Sequence, residues 1–155
     1  LQIRPSDLDY LSKSQTNDLD QYRLQKGWIL MTCSGTIGRT CMVWKNFEKF
    51  VGTHDLIRIV PEKSQIDGGY LYAFLSSDYG KQQVLRYRHG SVIDHITPEQ
   101  LQRVLIPCPS LNEQTAIGNK VRDAYEKRAQ AICLEDEAQA ILMKELTTAP
   151  ATKGV

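Results

Sequence analysis

Short runs of apolar residues, separated by glycine, proline and polar clusters, fill the first two thirds of the chain. A long proline-free helical pattern fills most of the last third. Residues 1–26 are polar and carry Asp7, Asp9, Asp18 and Asp20, a pattern of turns and short helical pieces. Trp28-Ile29-Leu30-Met31-Thr32 is then an apolar run rich in strand formers. Ser34-Gly35-Thr36-Ile37-Gly38-Arg39 interrupts it and Thr40-Cys41-Met42-Val43-Trp44 resumes it, which predicts two strands around a glycine-containing turn. Leu56-Ile57-Arg58-Ile59-Val60 alternates around Arg58 until Pro61 stops it, and is a third strand. Asp67-Gly68-Gly69 has the composition of a turn. Tyr70, Leu71, Phe74 and Leu75 follow at helical spacing, Ser76-Ser77-Asp78-Tyr79-Gly80 breaks that helix, and a second covers Lys81 to Tyr87. Val92-Ile93-Asp94-His95-Ile96 reads as a strand, and Leu105-Ile106, closed by Pro107 and Pro109, as a last strand-like piece.

Two helix starts are written into the side chains. Thr97-Pro98-Glu99-Gln100 combines a capping threonine, a first-turn proline and a reciprocal glutamine. Ser110 and Glu113 form a second capping box. From Leu111 to about Thr147 Ala, Glu, Gln, Lys and Leu dominate, and a single helix of roughly 36 residues is about 54 Å long. A compact domain of ~110 residues has a radius of gyration near 13 Å, so such a helix must project from it. Its apolar positions, Ile117, Val121, Ala124, Tyr125, Ile132, Ala138, Leu142 and Leu146, follow a 3–4 spacing imperfectly, with Glu135-Asp136-Glu137 interrupting. A wet helix of this length is not stable by propensity alone, which implies a partner helix; the alternative is that it folds back on its own domain. Residues 148–155 read as a frayed tail.

The composition is that of a globular chain, 41% hydrophobic and 24% charged, with a net charge of +1. The overall charge therefore does not announce a nucleic-acid binder, and only the placement of charge can. No run approaches the ~18 apolar residues of a membrane span, and no signal-peptide pattern opens the chain, so a cytoplasmic location is expected. Cys33, Cys41, Cys108 and Cys133 form no C-x-x-C pair and are expected to be reduced and mostly buried. No cofactor or metal is expected.

Two segments carry candidate chemistry. In the turn, Gly35 and Gly38 let the backbone approach a ligand closely, and Ser34, Thr36 and Arg39 project towards phosphates or base edges; an ordinary hairpin is the plainer reading. The turn is no Walker loop, because the Gly-Lys-Ser/Thr ending is absent. Lys81-Gln82-Gln83-Val84-Leu85-Arg86-Tyr87-Arg88-His89-Gly90-Ser91 is the most basic stretch and contains no acid. Arginine forks guanine or phosphate and glutamine pairs with adenine, against the alternative of a solvated helix face. Catalysis finds little support. His54, His89 and His95 sit in no recognisable nucleophile site with Cys33, Cys41 or Cys108, and His54-Asp55 and His95-Asp94 would point to opposite faces if they lay in strands. There is no Pro-Pro pair, which an adenine methyltransferase motif requires.

The order of the segments is more telling than any one of them. Gly27-Trp28-Ile29-Leu30-Met31-Thr32, Ser34-Gly35-Thr36-Ile37-Gly38-Arg39, Tyr70-Leu71-Tyr72-Ala73-Phe74-Leu75-Ser76-Ser77, Gly90-Ser91, Leu105-Ile106-Pro107-Cys108-Pro109 and Leu111-Asn112-Glu113-Gln114-Thr115-Ala116-Ile117 follow one another. This succession, over about residues 25–145, resembles the target recognition domain of type I restriction-modification specificity subunits. The resemblance departs from the family's usual "G-D-I-L" strand at Trp28, and only one recognition domain and one helix are present. It implies an α+β fold: a mixed or antiparallel β-rich recognition domain with short helices over residues 1–109, then one long spacer or dimerisation helix over 110–147. It further implies a non-catalytic specificity module that reads double-stranded DNA through Ser34, Gly35, Thr36, Arg39, Lys81, Arg86, Arg88, His89 and Ser91. The implied partners are a methyltransferase subunit, a restriction or translocase subunit, and a second copy through the helix. The chain would then be a fragment, a half-subunit or part of a fused restriction-methylation enzyme. The competing reading is an interaction adaptor built around the helix.

Overall fold

The computed structural model describes residues 8, 19–45, 47, 48, 50–90 and 94–148. A 3-10 turn covers Leu19–Tyr22. Strands β1 (Ile29–Thr32), β2 (Thr40–Met42) and β3 (Leu56–Ile59) form an antiparallel sheet in the order β2-β1-β3. Leu30 stands opposite both Cys41 and Arg58. Helices α1 (Gly68–Ser76), α2 (Asp78–Leu85), α3 (Pro98–Leu101) and α4 (Leu111–Thr148) follow. The fold is α+β, as the pattern and the resemblance led us to expect.

One core lies between the sheet and the short helices. Ile29, Met31 and Ile57 meet Ile37, Leu71, Leu75, Val84, Ile96 and Val104 there. A smaller cluster of Leu24, Leu30 and Val43 fills the other face of the sheet, beside Trp28, Cys41, Phe47 and Leu56. Side chains alternate across a strand, so adjacent residues Ile29 and Leu30 serve different clusters.

The capping signals are realised. The Thr97 hydroxyl accepts from the Gln100 N–H at 3.3 Å while the Gln100 side-chain Oε1 accepts from the Thr97 N–H at 2.9 Å. Ser110 and Glu113 start α4 in the same reciprocal way.

Five expectations change. Asp67-Gly68-Gly69 is no turn: the Asp67 carboxylate accepts from the Gly69 and Tyr70 N–H groups and caps α1, which begins at Gly68. The break between α1 and α2 is a single residue, Ser77, whose hydroxyl caps α2 through the Gly80 N–H, so α2 starts at Asp78 rather than at Lys81. Leu105-Ile106 is not a strand, because the Gln83 side-chain amide takes both backbone groups of Leu105 in place of a neighbouring strand. Of the expected strand around Asp94, Val92 and Ile93 lie outside the described residues, and His95 makes single antiparallel pairs with Ser34 and His89. The four cysteines are free, but only Cys33 and Cys41 are half-buried; Cys108 and Cys133 are exposed.

Candidate nucleic-acid interface

The turn between β1 and β2 is built by Thr32 and two glycines. The Thr32 hydroxyl donates to the Thr36 carbonyl at 2.5 Å and accepts from the Arg39 N–H at 3.1 Å. Gly35 and Gly38 adopt φ of 64° and 82°, the left-handed region that side chains disfavour. Closing the turn this way leaves Gly35, Thr36 and Arg39 exposed and Ser34 half-buried.

Tertiary pairing then joins this turn to the basic stretch, over forty residues later in the chain. The Gly35 N–H donates to the Asp94 carbonyl at 3.1 Å, and the Ile96 N–H to the Cys33 carbonyl at 3.0 Å. His95 exchanges both backbone hydrogen bonds with His89, and their rings stand 6.3 Å apart. From the other side, the α-carbon of Gly38 faces α2, where a Cβ would make an ordinary contact of 3.7 Å with Val84 Cγ1. The glycine turn, α2 and the segment around His89 and His95 therefore form one continuous surface.

Arg39, Lys81, Arg86, Arg88 and His89 are all exposed. Arg88 is committed to Asp94 at 3.3 Å. Among the described residues Arg39, Lys81 and Arg86 have no acidic partner, so their charge faces solvent. Tyr87 is half-buried and donates its hydroxyl to the Arg103 carbonyl, which makes it a strut. Ser91 lies outside the described residues.

The catalytic alternative gains no geometry. His54 and Asp55 sit on a turn rather than in a strand, so their side chains approach to 3.6 Å instead of pointing apart. The Cys33 thiol meets the backbone carbonyl of His54, not its ring. Burial and then the Asp55 charge push the Cys33 pKa up, the reverse of what a nucleophilic thiol needs. Among the described residues no group of three or more His, Cys, Asp or Glu is placed to hold a metal ion, and no helix is long and apolar enough to cross a membrane.

Helix α4 is fastened by polar contacts that a search for apolar periodicity passes over. Gln114, 2% exposed, accepts from the Asp67 N–H at 3.1 Å and donates to the Pro109 carbonyl at 2.8 Å. At Gly118 the helix touches α1 backbone to backbone: a Cβ on Gly69 would sit 2.6 Å from the Gly118 α-carbon, and one on Gly118 would overlap the Asp67 carboxylate. Arg122 forks that carboxylate with two bonds of 3.1 Å. Burial raises the Asp67 pKa, but the Arg122 bonds and the Tyr70 and Gly69 N–H groups outweigh it and leave the carboxyl below its usual range. Tyr125, expected on a partner-facing seam, instead accepts the Met42 N–H of edge strand β2 at 2.8 Å and stacks edge-on against Tyr72. Glu126 takes Lys45 at 2.7 Å and the Trp44 indole at 3.3 Å. The signal was present as Gln114, Gly118, Arg122, Tyr125 and Glu126, polar or small residues at helical spacing. Val121 and Ala124 are half-buried along a groove with Tyr72 and Ser76, and Ile132 is buried, whereas Ile117, Ala138, Leu142 and Leu146 are exposed.

Residues 3–131 match the family described as the type I restriction modification DNA specificity domain. The chain belongs to that family. The specificity domain is also similar in fold to the S subunit of a type-I restriction-modification system from M. genitalium, with a TM-score of 0.56 and 20% sequence identity. That likeness covers 81% of this chain and 33% of the other, so the specificity domain here spans about a third of the S subunit's length. No curated protein matches it. The family match ends at residue 131, beside Ile132, the last buried residue of α4, so the exposed part of the helix lies beyond it.

Proposed function

We propose that this chain reads double-stranded DNA in a sequence-specific way, as the specificity subunit or half-subunit of a type I restriction-modification system. It directs a partner adenine methyltransferase, and a nuclease with it, and does no chemistry itself. Residues 1–109 act as the reader and 110–147 as the spacer, with Ala138, Leu142 and Leu146 turned towards a partner helix. The observation that carries this reading is the convergence of the glycine turn and the basic stretch on one exposed surface that α4 leaves uncovered. Backbone phosphates are held by charge, and sequence is read from base edges by donors and acceptors on rigid elements. The exposed apolar residues of the far half of α4 favour a helical partner over a solvated rod.

The test is duplex binding as a function of salt. With about four phosphates neutralised, the log–log slope is near −3.6, and changing Arg86 and Arg88 together to alanine weakens binding. Affinity that ignores salt would count against the reading. Coexpression with a methylation subunit, followed by mapping of methylated adenines, then reveals whether the chain directs modification to a defined word.

A further inference from the structure

Helix α2 carries two adjacent glutamines with opposite fates. Gln83 spends its amide on the backbone of Leu105, donating at 2.9 Å and accepting at 3.0 Å. Gln82 is exposed, and its side chain has no hydrogen-bond partner among the described residues. The difference follows from which side of α2 is locked. Gly80 lies so close to the Phe74 carbonyl that a Cβ would overlap it, and Val84 is fully buried against the core. Tyr79, Gln82 and Arg86 fall three and four residues apart and share the opposite face. Arg86 keeps helical backbone angles as the C-cap (φ −62°, ψ −26°), so it continues the row. Tyr79 is 67% exposed and braced edge-on by Phe74 at 6.0 Å.

We propose that this face is the base-reading edge of the chain, laid in the major groove, with Gln82 forking an adenine, Arg86 forking a guanine and Tyr79 packing beside them. The inference rests on the DNA-reading function proposed above and adds Gln82 and Tyr79 to it. Three features support it. The amide and guanidinium are unspent, whereas Arg88 is tied to Asp94 and Gln83 to Leu105. Both project from a helix fixed to the core, so little backbone freedom is lost on docking. The major groove, about 12 Å wide, admits a helix and presents the adenine and guanine edges that these two side chains match. Four residues of helix rise about 6 Å, close to two base-pair steps of about 3.4 Å each. Gln82 and Arg86 therefore read base pairs two steps apart.

The experiment selects bound duplexes from a randomised library with the full chain, for the wild type, Gln82→Ala, Arg86→Ala and Lys81→Ala. The wild-type pool is expected to hold an adenine and a guanine two base pairs apart. Gln82→Ala relaxes only the adenine and Arg86→Ala only the guanine, each by roughly five- to a hundredfold. Lys81→Ala weakens binding evenly across sequences. All three variants keep the wild-type melting temperature, since the changed side chains hold nothing in place. A wild-type motif that survives both Gln82→Ala and Arg86→Ala at every position overturns this inference while sparing the DNA-reading function. So does an even loss of affinity with Gln82→Ala. A wild-type pool with no motif removes the DNA-reading function itself.

Discussion

The two halves of α4 are one unbroken helix with two different environments. Up to Ile132 the helix is fastened to its own domain by Gln114, Gly118, Arg122, Tyr125 and Glu126. Beyond it Leu134, Ile141, Leu142, Met143 and Leu146 are more than half exposed. Apolar content does not distinguish the halves in the direction intuition suggests, because the fastened half is held by polar groups and small residues while the free half displays the larger apolar side chains. In proteins most of a helix's stability comes from packing against its surroundings rather than from propensity. The first half gains its stability from partly buried hydrogen bonds and one bidentate ion pair, and the second half leaves large apolar side chains exposed.

The comparison can be broken at Gly118. Alanine in a helix interior ordinarily stabilises by up to about 1 kcal/mol over glycine. Here the methyl group would displace the Asp67 carboxylate from the Arg122 fork, and Gly118→Ala is expected to lose about 3 kcal/mol in a urea melt. A stabilised Gly118→Ala would mean that the crossing of α1 and α4 is loose.

Asp67→Asn removes the charge but keeps a cap, for an expected loss of about 1–2 kcal/mol at neutral pH. Its pH dependence carries a sign. The folded Asp67 pKa is depressed, so its contribution is complete above the ordinary carboxylate value of about 3.9 and is lost as pH falls below that towards the lower folded value. Urea melts at pH 7 and pH 3 should show the gap between wild type and Asp67→Asn closing in acid. A constant gap would show that the charge itself contributes nothing.

The smallest effects compare the halves directly. Tyr125→Phe strips the Met42 N–H of its acceptor and is expected to cost about 1 kcal/mol. Leu142→Asp, on the exposed half, should move the chain's own stability by less than about 0.5 kcal/mol. It should nevertheless abolish any self-association seen in sedimentation, if that face pairs. A melt in which Leu142→Asp costs as much as Tyr125→Phe would erase the distinction between the halves.

What could be read along the chain was local. The glycine turn, the strands at Ile29, Thr40 and Leu56, and both capping boxes depend on residues within a few positions of one another. The basic stretch could be named but not located, since its union with the turn rests on Gly35 bonding Asp94 and Ser34 pairing with His95. The seam of α4 was misassigned at Tyr125 because aromatic character pointed to an apolar partner, whereas its hydroxyl serves a strand edge. Gly68-Gly69 resembled a turn because glycine is a poor helix former, yet Gly69 sits in a helix so that another backbone can reach it. Leu105-Ile106 resembled a strand because nothing in that segment reveals that its pairing partner is the Gln83 amide.

The contact of Gly69 with Gly118 also has a mechanical meaning. It is a pivot without padding: two main chains abut, so the angle between α1 and α4 has little side-chain cushion through which to drift. From Gly118 the end of α4 at Thr148 lies roughly 45 Å away, and a tilt of about 5° would swing it by about 4 Å, more than the ~3.4 Å between stacked base pairs. In the spacer role proposed above, α4 would have to hold its far end to less angular play than that, and a hard joint of bare backbone is what limits it.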